Sequence, residues 1–311
     1  MLGQGFGFGK VILFNEHFVV YGLPAVASAI GAKTAALVEK QNGSGVEIID
    51  ERPETPGYKA GKFGEQKESL GRMLRFMDIN TERNHFKITL GGDLIAASGV
   101  GASAASCAAI ARAFSDELDL DYSDERVNEV AYEGEKGYHG TPSGIDNTAA
   151  TYGGLIWYKR EGSAQHMERM NLRKPVEIVM GNTGIIADTK IVVAGVKVRK
   201  EKEPEKYASI FETAAQLVQD ARKQLETFDL QRLGISMNRN HELLQQIGVS
   251  CKELDILVDL ARDSGALGAK MTGTGRGGYI VALTPGRDLQ ERVAMEIERK
   301  SFQALRTTIG I

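Results

Sequence analysis

The pattern of apolar and polar positions predicts strands near the start of the chain. Apolar runs at residues 11–14, 34–40 and 46–50 predict three strands, separated by glycine-rich or Asn-Gly turns. A helix over about residues 65–77 and a strand at 86–90 are predicted next. The first part of the chain therefore mixes strands with a helix.

Two helices are predicted in the following stretch. Residues 102–117 are small or apolar on nearly every face, which predicts a buried helix packed closely on its neighbours. Ser123 and Asp124 are predicted to begin the next helix. Its apolar positions recur at helical spacing, and they are Val127, Val130, Ala131, Gly134 and Tyr138. Glu135 is placed at the edge of this stripe.

The second half of the chain is predicted to be helical first and stranded afterwards. Residues 201–262 have a helical pattern, broken near Asp229 and Ser250. Two strands around a glycine-rich turn, a helix at 288–300 and a closing strand at 304–309 follow. Strands at both ends and helices between them predict an α+β fold in which distant segments complete one sheet. A chain of 311 residues is expected to form two lobes, with a site in the cleft between them.

Charge and composition favour small molecules as partners. The 38 basic and 41 acidic residues are mixed along the chain and give a net charge of −3, so neither nucleic acid nor a membrane surface is expected as a partner. The two cysteines are not expected to pair. With no recognised targeting signal or long apolar run, the chain is expected to be cytoplasmic.

The first of three glycine-rich segments ends in Lys10 and is not a phosphate-binding P-loop. Val11 stands where a P-loop needs Ser or Thr, and Gln4 stands where it needs glycine. Lys10 begins an apolar strand, where a charged group facing inward requires an anionic partner. Taken alone, this segment favours a solvated lysine at the start of a strand.

The second segment, at residues 96–105, leads directly into the small-residue helix. Its glycines allow tight turns, and the free N–H groups at a helix start favour an anion such as a polyphosphate. Ser103 would then offer its hydroxyl to a phosphate-bound magnesium ion. A closely packed helix that uses Ser103 only for capping remains an alternative.

The third segment, at residues 271–278, contains Gly-x-Gly-x-x-Gly but does not fit a dinucleotide site. Such a site is followed by a helix, whereas Tyr279–Leu283 has the pattern of a strand. A tight loop between strands, near a ligand, is predicted instead. Two acidic residues, Glu135 and Asp146, could supply the carboxylates that phosphoryl transfer needs, although a solvated helix position and a helix cap are their simpler explanations.

In this order the three segments resemble the GHMP kinases, the superfamily that includes galactokinases, homoserine kinases, mevalonate kinases and phosphomevalonate kinases. The stretch GKVILFNEHFVVYG at 9–22 is similar to the first motif of the mevalonate kinases, in which Glu-His precedes Val-Val-Tyr-Gly. GYHGTPSGIDNTAATYGG at 137–154 and KMTGTGRGG at 270–278 resemble the other two motifs. The resemblance extends over essentially the whole chain.

The resemblance implies a two-lobed fold, with an N-terminal α+β lobe at 1–170 and a ferredoxin-like C-terminal lobe at 171–311, and an active site between them. It implies phosphorylation of the 5-hydroxyl of mevalonate by ATP with Mg²⁺, an early step of isoprenoid biosynthesis. Asp146 would take the proton of the hydroxyl, and Lys10 would stabilise the alkoxide. Ser103 and Glu135 would hold Mg²⁺. A homodimer is expected by the same analogy.

The remaining residues that the resemblance implies would bind the two substrates, ATP and mevalonate. The ATP phosphates would be wrapped by Lys10, Ala97, Ser98, Gly99, Val100, Gly101, Ala102 and Ser103. The mevalonate pocket would be lined by Glu16, His17, Thr183, Gly273, Thr274 and Gly275.

Three positions depart from the family pattern: Asn15 and Arg276 replace glycines, and Ala102 replaces a serine. Arg276 would either add a charge near ATP or point to solvent. Two alternatives stay open, another kinase of the superfamily such as a phosphomevalonate kinase, and a metabolite sensor without turnover.

Overall fold

The computed structural model describes residues 2–97, 99–161 and 164–311, and their contacts divide the chain into two units. The first contains the chain up to Lys10 together with Ala29–Gly153. The second contains Val11–Ser28 and Gly154–Ile311. Both units therefore draw on two separate stretches of sequence. The predicted division into sequential lobes at residue 170 stays a prediction.

Among the described residues, the first unit contains strands and helices, and its first two strands continue into the second unit. Its elements are β1 (Leu2–Phe14), β2 (Ala25–Gln41), β3 (Gly45–Asp50), α1 (Tyr58–Phe76), β4 (His85–Gly92), α2 (Ala102–Glu117), α3 (Asp124–His139) and α4 (Ile145–Tyr152). Here β3 is parallel to β4, β4 is antiparallel to β2, and β1 pairs with β2. The core lies between these strands and α1, α2 and α3, where Phe86 packs edge to face on Phe114 with ring centroids 5.2 Å apart.

Strand β1 starts at Leu2, well before the predicted start at residue 11, because its glycines pack on α2. A β-carbon at Gly3, Gly5 or Gly7 would come within 2.2 Å of a carbonyl oxygen of that helix. These oxygens belong to Ala113, Ala109 and Ala105. The alternating glycines therefore allow a strand to lie directly against the helix backbone. Glycine at these positions serves packing and not a phosphate loop.

The second unit contains the remaining elements and the ends of β1 and β2. They are a 3₁₀ helix at Phe18–Tyr21, β5 (Leu155–Glu161), β6 (Ala164–Met170), β7 (Val176–Asn182), α5 (Thr189–Lys202), α6 (Pro204–Glu226), α7 (Leu230–Gln246), α8 (Lys252–Asp263), β8 (Gly268–Thr272), β9 (Tyr279–Leu283), α9 (Arg287–Arg299) and β10 (Gln303–Ile309).

Within this unit, four strands form an antiparallel sheet in the order β10-β7-β9-β8. Helices α8 and α9 pack on it, and α8 lies between β7 and β8 in the chain while α9 lies between β9 and β10. This β-α-β-β-α-β connection is ferredoxin-like, with α5, α6 and α7 inserted before α8. The predicted α+β class and ferredoxin-like lobe are confirmed.

Helices α1 and α5 differ from the sequence prediction. Helix α1 begins at Tyr58 and not near residue 65, and α5 was not predicted. Gly61 and Gly64 lower the local helix propensity of the α1 start, but the N–H of Lys59 donates to Glu54 Oε2 over 2.8 Å and holds that turn. Across the described residues, none of the helices combines the length and hydrophobicity that a membrane crossing requires.

Candidate active site

The first unit brings Lys10 and Asp146 together. Lys10 lies in β1 and Asp146 in the first turn of α4, and Lys10 Nζ is 3.0 Å from Asp146 Oδ1. The lysine side chain is 7% exposed and the aspartate side chain 30% exposed, so the lysine is buried while the carboxylate is partly accessible. Lys10 thus has the anionic partner that its position in a strand requires.

The loop before α2 lies directly against Lys10. The backbone N–H of Lys10 donates to the carbonyl of Val100 over 2.8 Å, and a β-carbon at Gly101 would be 3.1 Å from Lys10 Cβ. Gly99 and Gly101 have φ values of 92° and 70°, a conformation that glycine adopts without strain. Ala97 and Val100 are buried below the loop, and Ser98 lies outside the described residues. The loop therefore turns tightly at the N-terminus of α2.

Glu135 is buried in α3, whereas the sequence placed it at the edge of the apolar stripe. It is 1% exposed. Burial raises the pKa of Glu135 to about 8, and the charge of Asp146 contributes to the increase, while a hydrogen bond from Ser103 and the charge of Lys10 oppose it. Ser103, Glu135, Lys10 and Asp146 thus act on one another within the first unit.

The oxygen donors beside Asp146 suit a divalent cation. Glu135 Oε1 is buried and has no hydrogen-bond partner among the described residues. A cavity of about 200 Å³ is lined by both Glu135 and Asp146. Carboxylate and hydroxyl oxygens are the ligands that Mg²⁺ prefers, and a bound cation would satisfy the buried oxygen of Glu135. The residues therefore fit the ion, although no group of three or more acidic, His or Cys side chains forms a ready-made metal site in the described chain.

Arg52 supports the start of α2 and was missed by the sequence analysis. Its buried guanidinium donates to Asp50 over 2.9 and 2.6 Å, to the carbonyl of Ala102 over 3.2 Å and to Ser106 Oγ over 2.7 Å. These bonds fix the first turn of α2 to the end of β3. Arg52 lies between Glu51 and Pro53, and nothing in that pattern indicated this role.

In the second unit, His17 is held by the third glycine-rich loop. His17 Nε2 is 2.7 Å from the carbonyl oxygen of Thr274. Because a carbonyl only accepts, Nε2 carries the proton. Burial lowers the pKa of His17, and the charges of Arg199 and Lys270 lower it further. The ring is therefore neutral at pH 7, with Nδ1 as an acceptor.

Glu16 forms a buried ion pair with Lys270, which the sequence analysis did not single out. Lys270 is 0% exposed, and its Nζ donates to Glu16 Oε1 and, over 2.6 Å, to the carbonyl of Met271. A lysine in a short apolar strand could have been noticed as needing a partner. Its partner lies 254 positions away and could not be identified from the pattern alone.

The other predicted substrate residues differ in how they are used. The hydroxyl of Thr183 donates to the carbonyl of Gly278 over 3.0 Å, so it is already engaged in the loop. Gly273 and Gly275 have φ values of 80° and 79°. The hydroxyl of Thr274 is 2.8 Å from that of Thr189, at the start of α5, which the sequence analysis did not consider.

The three departures from the family pattern are accommodated locally. Asn15 has φ 70°, and its amide donates to the carbonyl of Pro24 over 2.8 Å. Arg276 has φ 57°, and its guanidinium donates to the carbonyl of Gly248 over 2.7 Å. The side chain of Arg276 is exposed and is tied to the loop after α7. Ala102 is buried against Arg52.

Comparison with known proteins identifies the family of the chain. The family model described as the GHMP kinases N terminal domain matches residues 68–154, and the model for the GHMP kinases C terminal matches residues 221–303. A mevalonate kinase of Pyrococcus abyssi is 35% identical over 307 residues, which cover 93% of this chain and 90% of that protein. A mevalonate kinase of Aeropyrum pernix is 32% identical and covers 97% of this chain and 94% of its own length.

Solved structures extend the comparison. L. major mevalonate kinase in complex with R-mevalonate superposes with a TM-score of 0.95 at 41% identity, over 99% of this chain and 95% of that one. Lactococcus lactis galactokinase complexed with galactose has a TM-score of 0.73 at 20% identity, over 99% and 94% of the two chains, and shares the fold alone. The chain belongs to the GHMP kinases and, within them, to the mevalonate kinase family.

Proposed function

We propose that this protein transfers the γ-phosphoryl group of ATP to the 5-hydroxyl of mevalonate. The observation that carries the proposal is the Lys10–Asp146 pair, 3.0 Å apart beside the glycine loop that begins α2. Membership of the mevalonate kinase family selects the acceptor. The reaction would be an early step of isoprenoid biosynthesis.

Asp146 is assigned as the base. Its carboxylate accepts the proton of the acceptor hydroxyl while the new bond forms between that oxygen and the γ-phosphorus, and the bond from the γ-phosphorus to the ADP oxygen breaks. Lys10, whose ammonium group lies next to the same carboxylate, stabilises the negative charge that develops on the acceptor oxygen. The 7% exposure of Lys10 strengthens this effect, because little water screens its charge.

The loop at residues 97–103 is assigned to the ATP phosphates. The N-terminus of α2 provides free N–H groups and the positive end of a helix dipole, with Ala97, Gly99, Val100, Gly101 and Ala102 shaping the approach. Ser98 is part of the same prediction but lies outside the described residues. Arg52 keeps this turn in place by binding the carbonyl of Ala102.

Ser103 and Glu135 are assigned to Mg²⁺. Bound there, the ion would neutralise phosphate charge and orient the phosphates for transfer. Glu135 must be ionised to bind a cation. Its pKa of about 8 in the cation-free protein implies that binding at pH 7 releases a proton.

Glu16 and His17 are assigned to mevalonate, together with Thr183, Gly273, Thr274 and Gly275. His17 offers Nδ1 as an acceptor, which suits a hydroxyl group of the acceptor molecule. Thr183 is the least suited of these residues to bind mevalonate, because its hydroxyl already donates a hydrogen bond to the carbonyl of Gly278. Thr189, which contacts Thr274, is added to this set.

The proposal is tested with purified protein, Mg-ATP and a panel of mevalonate, phosphomevalonate, galactose and homoserine. ADP release is expected with mevalonate only. Preference for phosphomevalonate would establish the other kinase activity, and ligand-induced stabilisation without ADP release would establish a sensor. Neither alternative is favoured, since the relatives at 35% and 41% identity are mevalonate kinases and Lys10, Ser103, Glu135 and Asp146 are all present.

A homodimer remains a prediction from family analogy, and a cytoplasmic location remains a prediction from the lack of a recognised targeting signal. The homodimer is tested by size-exclusion chromatography with light scattering, in which a monomer would have a mass of 33.8 kDa and a homodimer twice that mass.

A further inference from the structure

A row of hydrogen bonds in the second unit joins the segment Ile12–His17 to β8 and the loop that follows it. Thr272 Oγ1 accepts from the N–H of Ile12 over 3.2 Å and donates to its carbonyl over 2.9 Å. Lys270 binds Glu16, and the carbonyl of Thr274 accepts from His17 over 2.7 Å. Alternate residues of one strand and its loop thus hold the segment that carries Glu16 and His17.

Lys270 is the charged member of this row and is removed from solvent. The lysine side chain is 0% exposed and that of Glu16 is 1% exposed. Burial lowers the pKa of Lys270, while the neighbouring Glu16 charge raises it. Taking both charges out of water is costly, and replacing such a pair by apolar groups of similar size is often neutral or stabilising. A contribution to stability therefore does not explain why this buried ion pair is present.

The pair does fix geometry. Lys270 Nζ is held from a second side by the carbonyl of Met271, over 2.6 Å. The N–H of Met271 donates to Nδ1 of the buried His241 over 3.2 Å, so β8 is anchored behind the ion pair as well. Lys270 can therefore hold the Glu16 carboxylate in one position, and the residue that follows Glu16 is His17.

We propose that Lys270 is a positioning residue for the acceptor: acting through Glu16, it keeps Glu16 and His17 in the orientation that binds mevalonate, without touching the acceptor itself. This inference rests on the proposed function for its kinetic consequences. The third glycine-rich motif would then have a second role besides forming a loop near the ligand, because Lys270, in the strand that leads into that loop, orients Glu16 and His17 of the first motif.

The kinetic test is a double-mutant cycle with Lys270→Met, Glu16→Gln and the double variant. Lys270→Met is expected to raise KM for mevalonate at least tenfold and to leave KM for ATP within twofold. In the Glu16→Gln background the same substitution is expected to change KM for mevalonate less than twofold, because its partner is already gone. The double variant also guards against misfolding, since it leaves no unpaired buried charge.

Lys206→Met is the matched control. Lys206 also pairs with a glutamate of the second unit, Glu203, but both side chains are about half exposed, at 54% and 50%. This variant is expected to keep both KM values. Equal effects of Lys270→Met in the two backgrounds, or a KM for mevalonate that stays at the wild-type value, would overturn the proposal.

A second readout does not depend on mevalonate turnover. In ¹⁵N-histidine-labelled protein, wild-type His17 is expected to show a protonated Nε2 protected from exchange, and Lys270→Met is expected to lose that protection. An unchanged His17 signal in Lys270→Met would overturn the positioning role. If wild-type protein does not phosphorylate mevalonate, the proposed function fails, and the His17 signal still decides the role of Lys270.

Discussion

Replacing Glu135 by glutamine is expected to stabilise the cation-free protein at pH 7 and to abolish Mg²⁺-dependent turnover. Burial raises the pKa of Glu135 from 4.5 to about 8. The folded protein therefore binds a proton that the unfolded chain has lost, and the resulting stability, present below pH 4.5, is lost as pH rises towards 8. Glutamine has nearly the same shape and does not titrate.

The magnitude follows from the pH dependence. Each pH unit above the unfolded pKa costs about 1.4 kcal/mol until the folded pKa is reached, so the cost at pH 7 is up to about 3 kcal/mol. Glu135→Gln should avoid this cost and raise the melting temperature by roughly 5 °C at pH 7. At pH 5 the difference should nearly vanish.

The assay is thermal unfolding in a chelator from pH 5 to pH 8, followed by turnover with added Mg²⁺. Glu133→Gln is the control, because Glu133 lies on the same helix but accepts from Lys136 over 2.5 Å, and this hydrogen bond lowers its pKa. The control should gain no stability and keep its activity. A stability gain of Glu135→Gln that is equal at pH 5 and pH 8, or turnover at the wild-type rate, would refute the reasoning.

Other predictions concern stability. Burial lowers the pKa of His241 to about 4, so the free energy of unfolding should fall as pH drops from 6.5 towards 4, and the slope should be smaller in His241→Gln when both are followed by urea unfolding. Gly5→Ala places a β-carbon 2.2 Å from the carbonyl oxygen of Ala109 and should lower the melting temperature clearly, whereas Gly64→Ala, in open space, should not. Asn15→Ala loses the hydrogen bond to the carbonyl of Pro24 and places alanine at a strained φ of 70°. It should therefore lower the free energy of unfolding in urea by about 2 kcal/mol. A decrease smaller than the measurement error would contradict this account.

The sequence predicted the end of the second unit, from about residue 269 onward, better than the start of the first unit. The strands around 269–283, the helix near 288–300 and the closing strand were recognisable because apolar periodicity and a glycine turn agree there. The part of β1 before Lys10 was missed, since alternating glycines have no hydrophobic pattern. They make sense only beside the alanine-rich face of α2, which lies about 100 residues further along the chain.

The candidate site shows the same contrast. Lys10, Ser103, Glu135 and Asp146 were named from motif context, and their interactions in the first unit support that choice. The burial of Glu135 was not predicted, because a glutamate on a helix is usually exposed and only the packing of α3 reveals otherwise. The roles of Arg52 and Lys270 depend on partners brought together by the fold, so sequence spacing could not indicate them.

The most direct test of the central claim is the turnover number of Asp146→Asn with saturating mevalonate and Mg-ATP. Asparagine keeps the size of the side chain but cannot take the proton of the hydroxyl, and loss of a general base typically costs about 10²- to 10⁴-fold. The account predicts a fall of at least 10²-fold, measured well below the melting temperature of the variant, which is expected to be lower than that of the wild type because the buried Lys10 loses its anionic partner. A turnover number within tenfold of the wild type would contradict the assignment of Asp146 as the base.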